Sequence, residues 1–459
     1  MTNQIVTLSV TQTIAPAPST LQQTGALISQ GGTTGAVNSL TLLTQASDLT
    51  TSLAASKALT SLNWVTGVVT ATTSAPHGLT TGQVYYLTIA GAVPAAYNGT
   101  YAATSTTTTQ FTYTLATNPG STSSPGTYVS GTQTQLVQMV TTFFAQGSSV
   151  PIYVLELGPG SVNAGVATLT TWMNNNFNTV YAYLVPREWD ANIAFLALIA
   201  SWENPTAKTY FYVTTTNLTY TSYTAMMKDV VLNIEAPGLS TAEFSLAFPL
   251  WQLLSTNPSP TNRVAPFTFR YGYGVTPYPV VGNGALFTAW KAAGVNWIGT
   301  GYEGGISTAI WLWGTTADGN PINYWYSVDW LEINIDINLS NAIINGSNNP
   351  QSPLYLNQDD INTLQAVAAG TLTSAVTFGL LLGTVVQTEY DGPSYSAALE
   401  AGTFAGQAVI NAVPFVAYFT ANRGDYATGT YNGFSATVTP LRGFEQVTFY
   451  INVTNFVAL

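Results

Sequence analysis

Residue types that could carry out acid–base or nucleophilic chemistry are scarce in this chain. His77 is the only histidine among 459 residues, it lies in a Pro-His-Gly turn, and the chain has no cysteine. A Ser-His-Asp or Cys-His triad needs a histidine base beside its nucleophile, and a zinc site needs cysteine or histidine ligands. We therefore expect a structural turn role for His77, with no catalytic residue, no metal and no disulfide in the protein.

A glycine-rich loop is the one motif that resembles a phosphate-binding site. The segment Gly158-Pro159-Gly160-Ser161 follows a strand predicted over 151–157 and precedes a helix predicted near 164–177. A helix N-terminus after such a loop can bind phosphate. Here Asn163 replaces the third glycine of the G-x-G-x-x-G pattern, and Pro159 lacks a backbone donor. The loop therefore predicts a plain strand-to-helix turn and no nucleotide cofactor.

Carboxylates could in principle form the acid pair of a glycosidase. The candidates are Glu156, Glu203, Glu235 and Glu303. The separation of two carboxylates in space decides that chemistry, and their spacing along the chain does not fix it. We expect these glutamates to be solvated or to cap helices, and we predict that the protein is not an enzyme.

An acidic helix is more informative than these isolated glutamates. A helix is predicted over 327–345, with Ser327 as its N-cap, and Asp329, Glu332 and Asp336 lie on one face at i, i+3 and i+7. Like charges at these spacings repel by roughly a few tenths of a kcal/mol per pair. The arrangement becomes favourable only opposite a basic surface. An ordinary solvated face and a contact with a basic partner both remain open on this pattern alone.

Composition limits the partners of the protein. Charged residues make up 6% of the chain, against roughly 25% in an ordinary soluble domain. So few charges suggest that partners cover much of the surface. The net charge of −11 argues against binding nucleic acid. The segment Val376–Val386 is too short to span a bilayer, and Met1–Gln4 has no signal-peptide character, so we expect a cytoplasmic protein without membrane insertion.

The amino-acid composition of the chain changes between 64 and 130. This stretch is rich in Thr, Ser and Gly, with short β-type runs between turn signals, and it reads as a small all-β unit. Helices and strands alternate after it, which is typical of an α/β sheet. Further along, we predict a helix over 359–370 and strands near 375–390, 412–420 and 434–453.

Both ends of the chain carry a strand pattern that looks detachable. Apolar residues alternate with polar ones at each terminus, and prolines or glycines separate both strands from the rest. The apolar positions are Val6, Leu8 and Val10 at the front and Val447, Phe449, Ile451 and Val453 at the back. Such strands could pair with the protein's own sheet or with that of a neighbouring subunit.

Three segments resemble the tail sheath family of contractile bacteriophages, in its divergent sheath-like branch. They are Thr141–Gln146 with the strand after it, Trp313–Gly319 with Asp329-Trp330-Leu331, and Pro353–Ile361 with Gly379–Gly383. In the third segment Asn357-Gln358-Asp359 replaces the family's Thr-Asp. The 64–130 stretch is similar to a small β module of phage structural proteins, through Pro76–Gly82, Tyr97–Tyr101 and Phe111–Leu115.

The resemblance implies a mixed α/β multidomain protein that works in assembly. The implied parts are an N-terminal arm at 1–18, an α/β sheath body at 19–63 plus 131–310, an inserted β module at 64–130, a C-terminal α+β domain at 311–443 and a C-terminal arm at 444–459. In this family the arms exchange strands with neighbouring sheath subunits in a helical homo-oligomer.

The resemblance also implies the location and mode of action. The polymer surrounds the tail tube protein, ends at baseplate and tail terminator proteins, and contracts to drive the tube through the host envelope. The protein would be found in the virion tail, and in the host cytoplasm during assembly. The acidic face of Asp329, Glu332 and Asp336 would then face the tube.

Two other functions remain open on the sequence. The Tyr-, Trp- and Thr-rich composition is compatible with a glycan-binding or glycan-cleaving tail fibre, although the chain has no long β repeats. A tube or baseplate protein is the other option, and the length and the alternation of helices with strands disfavour a tube subunit.

Overall fold

The structure is a computed structural model that describes residues 20–202, 208–224, 228–237, 239, 242–278, 284–301 and 306–445. Its strands are β1 Gly25–Ser29, β2 Ser39–Leu43, β3 Lys57–Val65, β4 Val68–Thr73, β5 Val84–Ala90, β6 Gly99–Ser105, β7 Gln110–Thr114, β8 Thr127–Ser130, β9 Ile152–Glu156, β10 Ala182–Leu184, β11 Tyr210–Thr215, β12 Val230–Ile234, β13 Val295–Gly301, β14 Ile306–Leu312, β15 Val385–Thr388, β16 Ala408–Ala412 and β17 Phe434–Thr437. Its α-helices are α1 Gly131–Ala145, α2 Val162–Asn175, α3 Ile193–Trp202, α4 Ala247–Leu254, α5 Gly284–Ala292, α6 Ile322–Asn348, α7 Gln358–Thr377, α8 Gly392–Glu400, α9 Phe415–Ala421 and α10 Arg423–Thr428. In the ranges given above, no helix is long and apolar enough to cross a membrane.

An eight-stranded sheet forms the body of the protein. Its order is β14-β13-β12-β11-β10-β1-β9-β2, with β2 and β14 antiparallel to their neighbours and the strands between them parallel. Every residue of β10, β11 and β12 is buried. This burial follows from their apolar runs, because helices cover both faces of a parallel sheet. Separate hydrophobic clusters occupy the two faces.

The inserted β module is a closed barrel of six strands. Their order is β3-β4-β7-β6-β5-β8, and β8 returns to pair with β3. Inward side chains alternate along the strands and build a core of their own. Closure leaves no free strand edge on the barrel. The first strand begins at Lys57, seven residues before the predicted boundary at 64.

The barrel is attached directly to the body. Strand β8 ends at Ser130 and α1 begins at Gly131, without a linker. A Cβ at Gly131 would lie 2.9 Å from the carbonyl oxygen of Tyr86, so only glycine allows this approach. The Ser130 hydroxyl also donates to the carbonyl of Gln30, at 2.8 Å. The barrel therefore sits above the carboxyl end of β1.

The C-terminal part contains two long helices and a small sheet. Helices α6 and α7 pack against each other, and α7 lies on the sheet β15-β16-β17. Strand β16 is buried along its whole length, while most of β17 is exposed. The predicted mixed α/β class is thus confirmed as a mixed sheet, a closed barrel and a small third sheet.

Two local predictions are wrong. Helix α6 begins at Ile322 after Pro321, and Ser327 lies inside it, with its hydroxyl bonded to the Asn323 carbonyl. Proline favours a helix start because its φ is already fixed. The strand predicted over 412–420 is instead the end of β16 followed by α9, and Pro414 stands at the N-cap of that helix.

Candidate functional site

The acidic face of α6 packs against the body of the same chain. Asp329 is 0% exposed, and its Oδ2 accepts hydrogen bonds of 2.8 Å from the hydroxyls of both Tyr181 and Tyr210. These tyrosines lie at the amino ends of β10 and β11. Burial, reinforced by the Asp329 charge, raises the pKa of both tyrosines well above their usual value. Their hydroxyls therefore stay protonated and act as donors.

Lysines of the body provide the basic surface opposite this face. The Lys228 ammonium lies 3.6 Å from Asp329 Oδ1, with both side chains almost fully buried. Lys208 Nζ lies 2.8 Å from Glu332 Oε2 in a partly exposed pair. Burial raises the pKa of the Asp336 carboxyl, and the Lys208 charge opposes this shift. The repulsion along the helix is therefore compensated within the chain.

The prediction that this face contacts the tube is wrong for Asp329. A carboxylate that is 0% exposed and bonded to two strands of its own chain cannot touch a partner. The electrostatic argument identified a basic counterpart correctly but assigned it to another protein. Glu332 and Asp336 keep some exposure, and for them a tube contact stays a prediction.

In the loop after β9, the Gly158 N–H is already bound by the Glu156 carboxylate. This carboxylate accepts from the backbone N–H groups of Gly31, Thr33 and Gly158, at 2.6, 3.1 and 2.8 Å, and from the hydroxyls of Ser29 and Thr33. The predicted plain turn is confirmed, with Ser161 as the N-cap of α2.

The two carboxylates considered for glycoside hydrolysis that lie in the described residues, Glu156 and Glu235, are each bound by other groups. Glu235 binds Arg187 through two hydrogen bonds of 2.6 and 2.9 Å. Glu156 is saturated by the loop donors described above, and Glu203 and Glu303 lie outside the described residues. In the part of the chain that the structure describes, no group of three His, Asp or Glu residues could hold a metal ion.

His77 has the structural role that its turn predicts. The imidazole is 2% exposed, its Nδ1 accepts from the backbone N–H of Leu79 at 3.0 Å, and its Nε2 lies 3.3 Å from the carbonyl of Gln110. Both ring nitrogens are thus used to hold the turn against β7.

Close to both of its described ends the chain contacts the same helix. Near the front, Gln22 Nε2 donates to the carbonyl of Tyr326, at 2.9 Å. Near the back, Asn323 Nδ2 donates to the carbonyl of Leu441, at 2.5 Å. Tyr326 and Asn323 are one turn apart on α6. The predicted arm residues Val6, Leu8, Val10, Val447, Phe449, Ile451 and Val453 lie outside the described residues.

The small C-terminal sheet offers edges for pairing. Among the described strands, none pairs with the outer side of β15 or of β17. An unpaired edge presents a row of backbone donors and acceptors to an incoming strand. The sheet can therefore accept a strand at either edge.

No protein-family model and no curated protein sequence matches the chain. Solved structures do match its fold over nearly the whole chain. One match is a chain of the anti-feeding prophage helical sheath in its contracted state. The structural alignment covers 98% of this chain and 98% of that chain, with a TM-score of 0.55 and 11% identity. A chain of the anti-feeding prophage baseplate covers 99% of both, with a TM-score of 0.55 and 12% identity. At such low identity the similarity establishes the fold.

Sequence reasoning missed the buried contact between α6 and the main sheet, in which Asp329 meets Tyr181, Tyr210 and Lys228. Tyr181 and Tyr210 have no unusual spacing, and Lys228 looks like an isolated surface lysine in the sequence. The only signal in the sequence was the scarcity of charge. In a chain with so few charged residues, each lysine is a candidate partner for a carboxylate. This contact joins segments that lie more than a hundred residues apart in the chain.

Proposed function

We propose that this chain is a structural, non-enzymatic subunit of a contractile tail sheath. The observation that carries the proposal is the tail sheath fold over nearly the whole chain, in a match that includes a contracted helical sheath. The subunits would form a helical homo-oligomer around a tail tube. The sparse charge supports this, because a surface covered by neighbouring subunits needs few charged side chains to stay soluble.

The terminal arms are the proposed links between subunits. The chain contacts the first turns of α6 near both of its described ends, so neighbouring regions of each subunit would send out the two strands. The alternating apolar residues at 6–10 and 447–453 suit strand addition, and the free edges of β15 and β17 suit its acceptance. A mesh of such strands would keep neighbouring subunits connected while their packing changes.

Contraction would draw its work from repacking of subunits and not from nucleotide hydrolysis. The use of the Gly158 N–H by Glu156 supports this, since it removes a phosphate contact. The remaining partners would be the tube, baseplate and tail terminator proteins. The protein would be located in the tail of a phage-like particle, after assembly in the host cytoplasm.

Negative-stain electron microscopy of the purified full-length protein tests this function. We expect hollow cylinders that form by polymerisation, because the chain carries both donor strands and acceptor edges. Slender rods would support the fibre alternative. A protein that stays monomeric at high concentration, with or without tube, would contradict a sheath.

A further inference from the structure

A cavity lies between the barrel and the carboxyl end of the main sheet. Its volume is about 180 Å³, and it is partly open to solvent. The barrel contributes His77, Leu79 and Tyr86, and the body contributes Pro159 and Glu188. The crevice outside the carboxyl ends of parallel strands is where α/β proteins bind their ligands. A dry cavity of roughly 150 Å³ accommodates benzene, so this partly open one can accept a single small ring.

Several polar groups around the cavity already have partners within the framework. The hydroxyls of Ser130 and Thr132 donate to the Gln30 carbonyl, at 2.8 and 2.9 Å. The Gln30 side chain donates to the Ser161 carbonyl and accepts from the Trp189 indole. These bonds fix the floor of the cavity and leave those groups little capacity for a ligand.

Other polar groups keep unused hydrogen-bonding capacity. Lys57 Nζ donates to the His77 carbonyl at 2.8 Å, and an ammonium has three donors. One Glu188 oxygen accepts from the Gln135 amide, and a carboxylate can accept several hydrogen bonds. The buried Tyr128 hydroxyl, on a residue that also lines the cavity, has no hydrogen-bond partner. The cavity thus has a carboxylate acceptor among its body residues and an ammonium donor among its barrel residues.

The rest of the wall is apolar and aromatic. It is formed by Leu79, Val84, Tyr85, Tyr86, Leu87 and Val162. Tyr86 is 38% exposed, so part of its ring is free for contact. Ligand pockets typically combine such apolar walls with a few convergent polar groups. Burial raises the pKa of the Glu188 carboxyl, because desolvation disfavours its ionised form.

We propose that this cavity binds one sugar ring, with its hydroxyls between the Glu188 carboxyl and the Lys57 ammonium and its C–H face on Tyr86. A hydroxyl both donates and accepts, so it satisfies the two opposite groups without adding net charge. The ring could be a free monosaccharide or the terminal residue of a surface glycan. This inference goes beyond the sheath function and does not depend on it.

Ligand-observed NMR on the full-length protein tests the proposal, with glucose, galactose and N-acetylglucosamine as free probes and the same sugars at the end of short oligosaccharides. We expect saturable binding of at least one sugar. Glu188→Gln and Lys57→Met should each weaken it by about tenfold, the usual effect of losing a hydrogen bond to a charged group. The control Glu400→Gln, on exposed α8, should leave it unchanged. Binding by the oligosaccharides alone would identify a surface glycan as the source.

A cavity-filling variant separates a binding site from a packing void. Ala54 lines the cavity, and Ala54→Leu should abolish sugar binding while the protein remains folded by circular dichroism. The proposal is overturned if no sugar binds at millimolar concentration, or if binding persists in Ala54→Leu. Leucine serves as a zwitterionic probe, and binding of leucine without any sugar would also overturn it.

Discussion

The Tyr181 hydroxyl donates a hydrogen bond of 2.8 Å to the Asp329 carboxylate, across 148 positions of the chain. This bond ties the long helix α6 to the amino end of β10. Tyr210 makes the same contact from β11, and Lys228 supplies the compensating charge. The C-terminal part of the protein is thereby fixed to the main sheet through a buried polar cluster.

Replacing Asp329 by asparagine should destabilise this cluster strongly. The variant keeps the size of the side chain but removes the negative charge that compensates the buried Lys228 ammonium. Removing one partner of a buried ion pair costs about 3–5 kcal/mol. Chemical denaturation of the wild type and the variant measures the difference in the free energy of unfolding.

Asp336→Asn on the same helix is the matched control for that variant. Asp336 is half-buried and close to Lys208, so its removal should cost less than about 1 kcal/mol. Equal losses for the two variants would mean that the buried cluster has no special importance.

Glu188 should make stability fall as pH rises. Desolvation raises the pKa of this carboxyl in the folded protein above the ordinary value of 4.5. The folded state therefore holds the proton more tightly than the unfolded state, and folding loses free energy as pH rises through the raised pKa. The stability of Glu188→Gln relative to the wild type should then increase as pH rises above the ordinary pKa of 4.5, as measured by urea denaturation. A difference that is independent of pH would contradict the shift.

The barrel should be removable at its structural boundaries. Lys57 pairs with Tyr128, so deleting 57–130 and joining Ser56 to Gly131 through a short Gly/Ser linker spans only a small gap. We expect soluble, folded protein, which thermal denaturation would verify. Deleting 64–130 instead should perform worse, because it leaves Leu59 and Leu62 of the barrel core without their cover. Insoluble protein from the 57–130 deletion would show that the body needs the barrel.

Removing residues 1–15 should leave a folded protein that does not polymerise. A donated strand could make about five ladder bonds, at roughly 1 kcal/mol each net, besides the burial of Val6, Leu8 and Val10. The sedimentation velocity of the truncated and intact proteins decides this. A control with Val6, Leu8 and Val10 changed to serine tests the apolar contribution without shortening the chain. Normal cylinders from both variants would remove the N-terminal arm from the assembly.

The exposed remainder of the acidic face should assist sheath assembly on the tube. Glu332→Gln with Asp336→Asn removes charge while Asp329 continues to hold the fold. Exposed ion pairs are worth about 0.2–1 kcal/mol each, and repetition over many subunits multiplies the effect. We expect weaker coating of purified tubes and a flatter salt dependence of that coating. Coating equal to that of the wild type at every salt concentration would restrict these residues to contacts within the chain.

Local patterns in the sequence were sufficient for much of the secondary structure. The strand predicted over 151–157 and the helix predicted near 164–177 occur within a few residues of their predicted positions. Short β-type runs between turn signals in 64–130 indicated the β unit, and the closed barrel with its own core confirms it. The turn role of His77 also followed from its two neighbours.

The sequence by itself determined the scarcity of charge, much of the secondary structure and the lack of residues for a catalytic triad, since these depend on composition and near neighbours. Only the tertiary structure decided where each charge is compensated. Asp329 meets Tyr181 and Lys228 because the fold brings the amino ends of β10 and β12 under α6. Glu156 fills the loop beyond β9 because Gly31 and Thr33 arrive there from β1. Contacts between distant segments depend on sheet order, and no local spacing encodes that order.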